Sequence, residues 1–209
     1  MVADLVSGDD AVAGPGRPGG SAWHSDAVQR FVLGSIDAEP LSRRPDLVAA
    51  PVAALVDRLG LADLVGVFEI DPALSDTAAT RDRYDLDPAT LGNCVVVAGR
   101  RGGDERLAAC VVPSTKRADV NGVVRRRLDV RKASFLAQDD AVGRTGMEYG
   151  AITPIGLPDG WPVLVDADLV DTALVLVGSG VRVSKLLVPG ALLPRLPGVE
   201  VVTDLGRTA

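Results

Sequence analysis

The chain has one histidine, three lysines and almost no aromatic side chains. Of its 209 residues 3% are Phe, Trp or Tyr, although 47% are apolar. The core must therefore be assembled from Val, Leu and Ala. The lone histidine, His24, argues against a histidine general base and against a multi-histidine metal site. No metal and no cofactor is implied. Cys94 and Cys110 both sit in Val-rich runs and no Cys-x-x-Cys pair exists, so they read as buried thiols rather than a disulfide framework. Neither a P-loop nor a Gly-x-Gly-x-x-Gly run is present, which leaves nucleotide hydrolysis and dinucleotide binding without a motif. No apolar run reaches the length of a membrane span, and the first residues are acidic (Asp4, Asp9, Asp10) rather than basic. The expectation is a soluble, cytoplasmic protein with no membrane partner.

What is present is an uneven charge. The net charge is −6, yet Arg100 to Lys132 holds ten Lys or Arg against four acids, a local +6 that leaves −12 for the remainder. A basic island on an acidic protein suits a localised polyanion contact. The plainer account is a solvated helix face carrying Arg125, Arg126 and Arg127.

The length fits one domain with extensions. Residues 1–20, rich in Gly, Pro and Asp, read as a disordered tail, residues 21–60 as a helical extension and residues 61–205 as the main domain. Helical periodicity marks Asp26–Ile36 and Asp46–Leu59, with Pro51 either in a first turn or at a kink. Val65–Ile70 reads as a strand, and Ser75–Tyr84 as a helix capped by Ser75 or Asp76. Cys94–Ala98 and Leu107–Pro113 read as a hairpin turning at Gly102-Gly103. Asp119–Leu128 is an amphipathic helix with Val120, Val123, Val124 and Leu128 inward. A helical turn at Ala137–Thr145, strands at Val163–Val165, Ala173–Val177 and Val181–Leu187, a short helix at Pro189–Leu196 and a strand at Val199–Val202 follow. Helices and short strands interleave without a βαβ repeat, which is the pattern of an α+β fold with a mixed sheet.

Two motifs suggest a site built from main chain. Gly150 and Pro154 stand four apart behind the Thr145-Gly146 pair. Gly permits positive φ or close approach, and Pro fixes φ and removes a donor, so such a loop binds through N–H and C=O groups. Gly178-Ser179-Gly180 is either a tight hairpin turn or a pocket lining. It is no nucleophile elbow, for there is no partner histidine. Asp166 and Asp168 follow a strand and read as a strand-end turn or, less economically, as metal ligands.

In order, Asn93-Cys94-Val95-Val96-Val97, Lys132-Ala133-Ser134, Thr145-Gly146, Gly150-Ala151-Ile152-Thr153-Pro154-Ile155-Gly156, Val165-Asp166 and Gly178-Ser179-Gly180 resemble the YbaK/aminoacyl-tRNA synthetase-associated domain. That family holds trans-editing aminoacyl-tRNA deacylases and the editing insert of bacterial prolyl-tRNA synthetase. The likeness spans roughly residues 61–205. It implies a curved, barrel-like mixed sheet flanked by helices, and a pocket for the aminoacyl end of mischarged tRNA. Cleavage of the ester by water, positioned by main chain rather than by a nucleophilic side chain, is the implied reaction. The resemblance places Gly150, Pro154 and Asn93 at the reacting centre. Asn93 stands where the family carries a lysine, an amide donor in place of a full charge. Thr153, Asp166, Gly178, Ser179, Gly180 and Lys132 are the implied substrate contacts, and Arg125, Arg126 and Arg131 the implied tRNA contacts. The implied partners are mischarged tRNA and, in addition, a synthetase. A member that binds aminoacyl-tRNA, an aminoacyl ligand or a synthetase without hydrolysis is the alternative.

Overall fold

Residues 30–208 are described by the structure, which is a computed structural model. The tail over residues 1–20, His24 and the first four residues of the helix expected from Asp26 lie outside them. From residue 30 onward that helix gives way to a hairpin, β1 (Phe31–Leu33) and β2 (Ile36–Pro40). The alternation Phe31, Ile36 and Ala38 in, Val32, Asp37 and Glu39 out is a period of two, which a helical pattern had absorbed. Helix α1 (Ala50–Leu59) follows, with Pro51 in its first turn and Gly60 in the left-handed region ending it. Its Val52, Leu55 and Val56 are buried in the main core.

Next come β3 (Gly66–Glu69), then α2 (Thr77–Tyr84), whose Asp76 cap accepts from the Ala78 and Ala79 N–H groups. The long hairpin of β4 (Gly92–Arg101) and β5 (Asp104–Pro113) pairs Gly92 with Pro113 through to Arg101 with Asp104. After the short β6 (Lys116–Ala118), the arginine helix opens as a π-turn over Val120–Val124 under an Asp119 cap and closes as α3 (Arg125–Arg127). Strand β7 (Ala133–Phe135), helix α4 (Gln138–Thr145), strand β8 (Val163–Asp166) and helix α5 (Ala167–Val170) lead to β9 (Val175–Gly178), β10 (Ser184–Val188), β11 (Val199–Val202) and β12 (Gly206–Thr208).

The strands form two five-stranded sheets, ordered β1-β2-β3-β10-β9 and β11-β8-β5-β4-β7, with β12 paired to β6. Pairings of β8 with β5 and with β11 are parallel and the others antiparallel. A parallel bridge from Leu91, just ahead of β4, to Leu176 of the edge strand β9 joins the two sheets, so the whole curls into a half-barrel. The fold is α+β, as the interleaved pattern predicts. Inside the curl, Val67, Val111, Val165, Val177 and Leu186 pack against α1. Outside it, Val97, Cys110 and Leu164 pack against Val120, Val124 and Leu128. Each Val-rich strand thus buries both faces, and Val and Leu supply the area that aromatics do not. No helix among the described residues is long and apolar enough to cross a membrane.

Candidate active site

A cavity of about 660 Å³ opens where the two sheets join. Its walls are the first residues of β4 (Gly92 to Val96), the end of β9 (Leu176 to Gly178), Lys185 of β10, residues 75–77 ahead of α2, Gly150 and Ile152, and the rim residues Phe135, Tyr149 and Arg182. It lies at the seam because the curl separates β4 from β9 beyond the single Leu91–Leu176 bridge.

Gly178 sets the loop wall. A Cβ on it would stand 2.3 Å from the Ala151 carbonyl oxygen and 2.9 Å from that of Ile152, so only glycine lets this backbone lie against β9. Two main-chain bonds then lock the loop: Gly180 N–H donates to Ala151 O (2.8 Å) and Glu148 N–H to Gly180 O (2.8 Å). Gly150 takes φ of 79° at the rim, a conformation other residues adopt at a cost. The Gly150 loop and the Gly178-Ser179-Gly180 turn therefore form one wall. Ser179 and Gly180 are buried behind it, where the Ser179 hydroxyl lies 2.7 Å from that of Ser184 and the Ser179 carbonyl accepts from Ala49 N–H. Pro154 lines a separate small cleft with Leu55 and Trp161. Thr153 is fully buried with an unpartnered hydroxyl and stays off the cavity surface.

Asn93 does line the cavity, and Thr77 fixes its side chain by donating to Asn93 Oδ1 at 2.8 Å. That leaves the amide NH2 as the free donor. Lys132 is exposed and lies off the cavity wall. Asp166 is elsewhere: fully buried, it accepts from Lys116 Nζ (3.0 Å) and Gly206 N–H (2.9 Å), and so staples β8 to the β6–β12 pair. Among the described residues no group of three or more His, Cys, Asp or Glu stands together to hold a metal ion. Cys94 is half-buried and lines the cavity, where desolvation raises its pKa above the usual thiol range and favours the protonated thiol; burial likewise pushes Cys110 up to about 12.

The basic island divides. Arg101 and Arg106 pair with Asp129, Lys116 with Asp166 and Asp168, and Arg127 with Glu200. Arg125 donates to Asn121 O, and Arg126 shares a cleft with Asp204. Arg131 instead lines a cleft with Arg100 and Arg101 at the turn end of β4. That end is four residues beyond Val96, about 14 Å along an antiparallel strand. Strand β7 bridges the distance, running from Arg131 and Lys132 to the exposed Phe135 at the cavity rim, with Phe135 opposite Val97.

The reading of the sequence missed Lys185. It is 5% exposed and donates to the Ser75 carbonyl at 2.7 Å. Its place in the apolar run Val181–Val188 was the available signal.

A profile of the aminoacyl-tRNA editing domain matches residues 71–196. The chain belongs to this family. Solved structures share the editing-domain fold. One is described as a candidate trans-editing enzyme for prolyl-tRNA synthetase (TM-score 0.65, 18% identity, 81% of this chain and 98% of that one). Another is the hypothetical protein APE2540 (TM-score 0.65, 19% identity, 75% and 99%). A third comes from epitope backbone grafting onto scaffold proteins (TM-score 0.65, 19% identity, 76% and 97%). No protein of curated function matches the sequence.

Proposed function

We propose that this editing domain hydrolyses the ester of mischarged aminoacyl-tRNA in trans, in the cytoplasm. The observation that carries the reading is the cavity wall of main chain, Gly150 to Ile152 seated on Gly178, in a chain that belongs to the aminoacyl-tRNA editing family. Water is the nucleophile. Its oxygen adds to the ester carbonyl carbon, the bond from that carbon to the ribose oxygen breaks, and the ribose oxygen leaves with a proton as the tRNA hydroxyl. The free amino acid is the other product. Gly150 and the Asn93 amide orient the ester, while Thr153, Pro154, Ser179 and Gly180 hold that wall in place from behind. Preorganised donors of this kind are worth on the order of 10²–10³ in rate each.

The tRNA lies along β7. Arg131, Lys132 and Arg100 receive acceptor-stem phosphates, and Phe135 offers an exposed ring at the point where the single-stranded end enters. Arg126, in the cleft with Asp204, and its neighbour Arg125 on α3 extend that contact to more distant phosphates. A synthetase partner would deliver the substrate.

The test is a panel of mischarged tRNAs incubated with purified protein. Release of at least one amino acid is expected, with Asn93→Ala slower by at least about tenfold, a loss of roughly 1.4 kcal/mol or more, and Asn93→Lys at least as fast as the natural chain. A protein that cleaves no mischarged tRNA overturns the proposal.

A further inference from the structure

We infer that Lys185 supplies the buried positive charge of this cavity, inside the Arg182 rim, its ammonium binding the carbonyl oxygen of the aminoacyl group as that oxygen gains negative charge. The inference rests on the ester-hydrolysis reading above and names the group that reading leaves without a charge.

Lys185 is 5% exposed, yet among the described residues no carboxylate pairs with it. Lysine is almost never buried without a partner, because desolvating an ammonium is unfavourable unless something repays it. Among the described residues its one acceptor is the Ser75 carbonyl, which leaves two ammonium protons without a partner there. Position adds to this. In the β9–β10 ladder Lys185 stands directly opposite Gly178, the residue that seats the loop wall, and on its other side opposite Phe68 of β3. Cross-strand neighbours lie about 5 Å apart, so the ammonium stem and the loop backbone share one face of the sheet. Beside it, Ser75 lines the same cavity with a buried hydroxyl that has no partner. Two under-satisfied polar groups at one corner define a receptor for an oxygen with lone pairs to give.

The charged neighbours do not neutralise it. Asp76, at the start of α2, is engaged as the helix cap, and Arg182, in the β9–β10 turn, donates to the Pro72 carbonyl. Burial lowers the Lys185 pKa to about 8, Asp76 pulling it back up and Arg182 pushing it further down. At neutral pH the amine is therefore mostly charged. The ammonium donates hydrogen bonds and keeps its protons; water attacks and the ribose oxygen leaves as described above.

Lys185→Gln retains an N–H donor for Ser75 and removes the charge. It is expected to lower kcat/KM on mischarged tRNA at least 100-fold with a melting temperature no lower than the natural chain's, and the natural chain's rate is expected to fall as pH rises through about 8 while the variant's residual rate does not. Retention of activity within threefold overturns the inference. A second readout needs no turnover. The chain has three lysines, so reductive methylation can be followed at each by mass spectrometry. A non-hydrolysable 3′-aminoacylamido-adenosine should slow methylation of Lys185 at least tenfold and leave Lys116 unaffected. If the natural protein cleaves no ester, the hydrolysis reading falls alone and this protection decides the role of Lys185; if Lys185→Gln fails to fold, it decides likewise. Absence of protection overturns the inference in either case.

Discussion

Adding one methyl group at Gly178 should move the whole loop wall. In Gly178→Ala the new Cβ would meet the Ala151 carbonyl oxygen at 2.3 Å, its carbon at 2.8 Å and the Ile152 oxygen at 2.9 Å. These are backbone atoms, so no side chain can swing away. Contact at about 3.2 Å requires a shift of about 0.9 Å, and the shift must stretch or break the 2.8 Å bond from Gly180 N–H to Ala151 O. Overpacking of this kind costs about 1–3 kcal/mol, which in a domain of this size lowers the melting temperature by roughly 2–12 °C. A displacement near 1 Å at a positioning wall costs about 10² in rate. Two assays read the two effects: thermal unfolding by circular dichroism, and kcat/KM for deacylation of mischarged tRNA below the melting point. Gly143→Ala is the control. A Cβ there meets nothing within 4 Å, and the residue lies inside α4, so the change should stabilise by about 0.5–1 kcal/mol without altering turnover. If Gly178→Ala melts with the natural protein and hydrolyses within threefold of it, the loop does not depend on close approach to β9 and the wall is misassigned.

Arg131→Glu should weaken binding of unrelated tRNAs alike and make the salt dependence shallower, as loss of a phosphate contact does; titration at several salt concentrations reads it, and unchanged binding at low salt refutes the cleft as a contact. Asp166→Asn should destabilise by about 1–3 kcal/mol, because it removes the buried carboxylate that joins Lys116 to Gly206 N–H while Lys116 keeps its pair with Asp168; denaturant melts should register the loss, with turnover of the folded fraction unchanged, since Asp166 lies outside the cavity wall. For Lys185 the folded amine titrates at about 8 and the unfolded one near 10.5. Below pH 8 both states hold the proton and the burial penalty is fully present. Between those values the unfolded chain binds more protons, so stability rises with pH, by up to about 3 kcal/mol. Urea melts of the natural chain and Lys185→Met at pH 7.5 and 10 should show that rise in the first and not in the second.

Much of the scaffold was legible because it is local. Asp76 before an apolar-poor helix, Gly102-Gly103 between two Val-rich runs, and Pro51 at a first turn each specify backbone within a few residues, and the structure has them in those roles. A helix is expected over Asp26–Ile36 because eleven residues with mixed spacing admit both periods; the hairpin's pairing with β3 and packing against Leu91 and Leu187 settle the matter from outside the segment. The arginine count was legible too, but which arginines remain free was not: Asp129 and Glu200, distant in sequence, take several of them.

By itself the sequence determined what the chemistry could not be. With one histidine and no nucleophile motif, residue type alone speaks against a histidine general base and a multi-histidine metal site. It determined also that Gly150 and Gly178 would carry backbone shape. The tertiary structure decided how these parts meet. Gly150 and Gly178, 28 positions apart, share one wall because a strand without a Cβ admits the Ala151 carbonyl. Pro154 and Asp166 turn away, and Lys185 comes in, because strand alternation and the β9–β10 register put its side chain on the cavity face. Burial and cross-strand register are long-range properties, and no short stretch of sequence contains them.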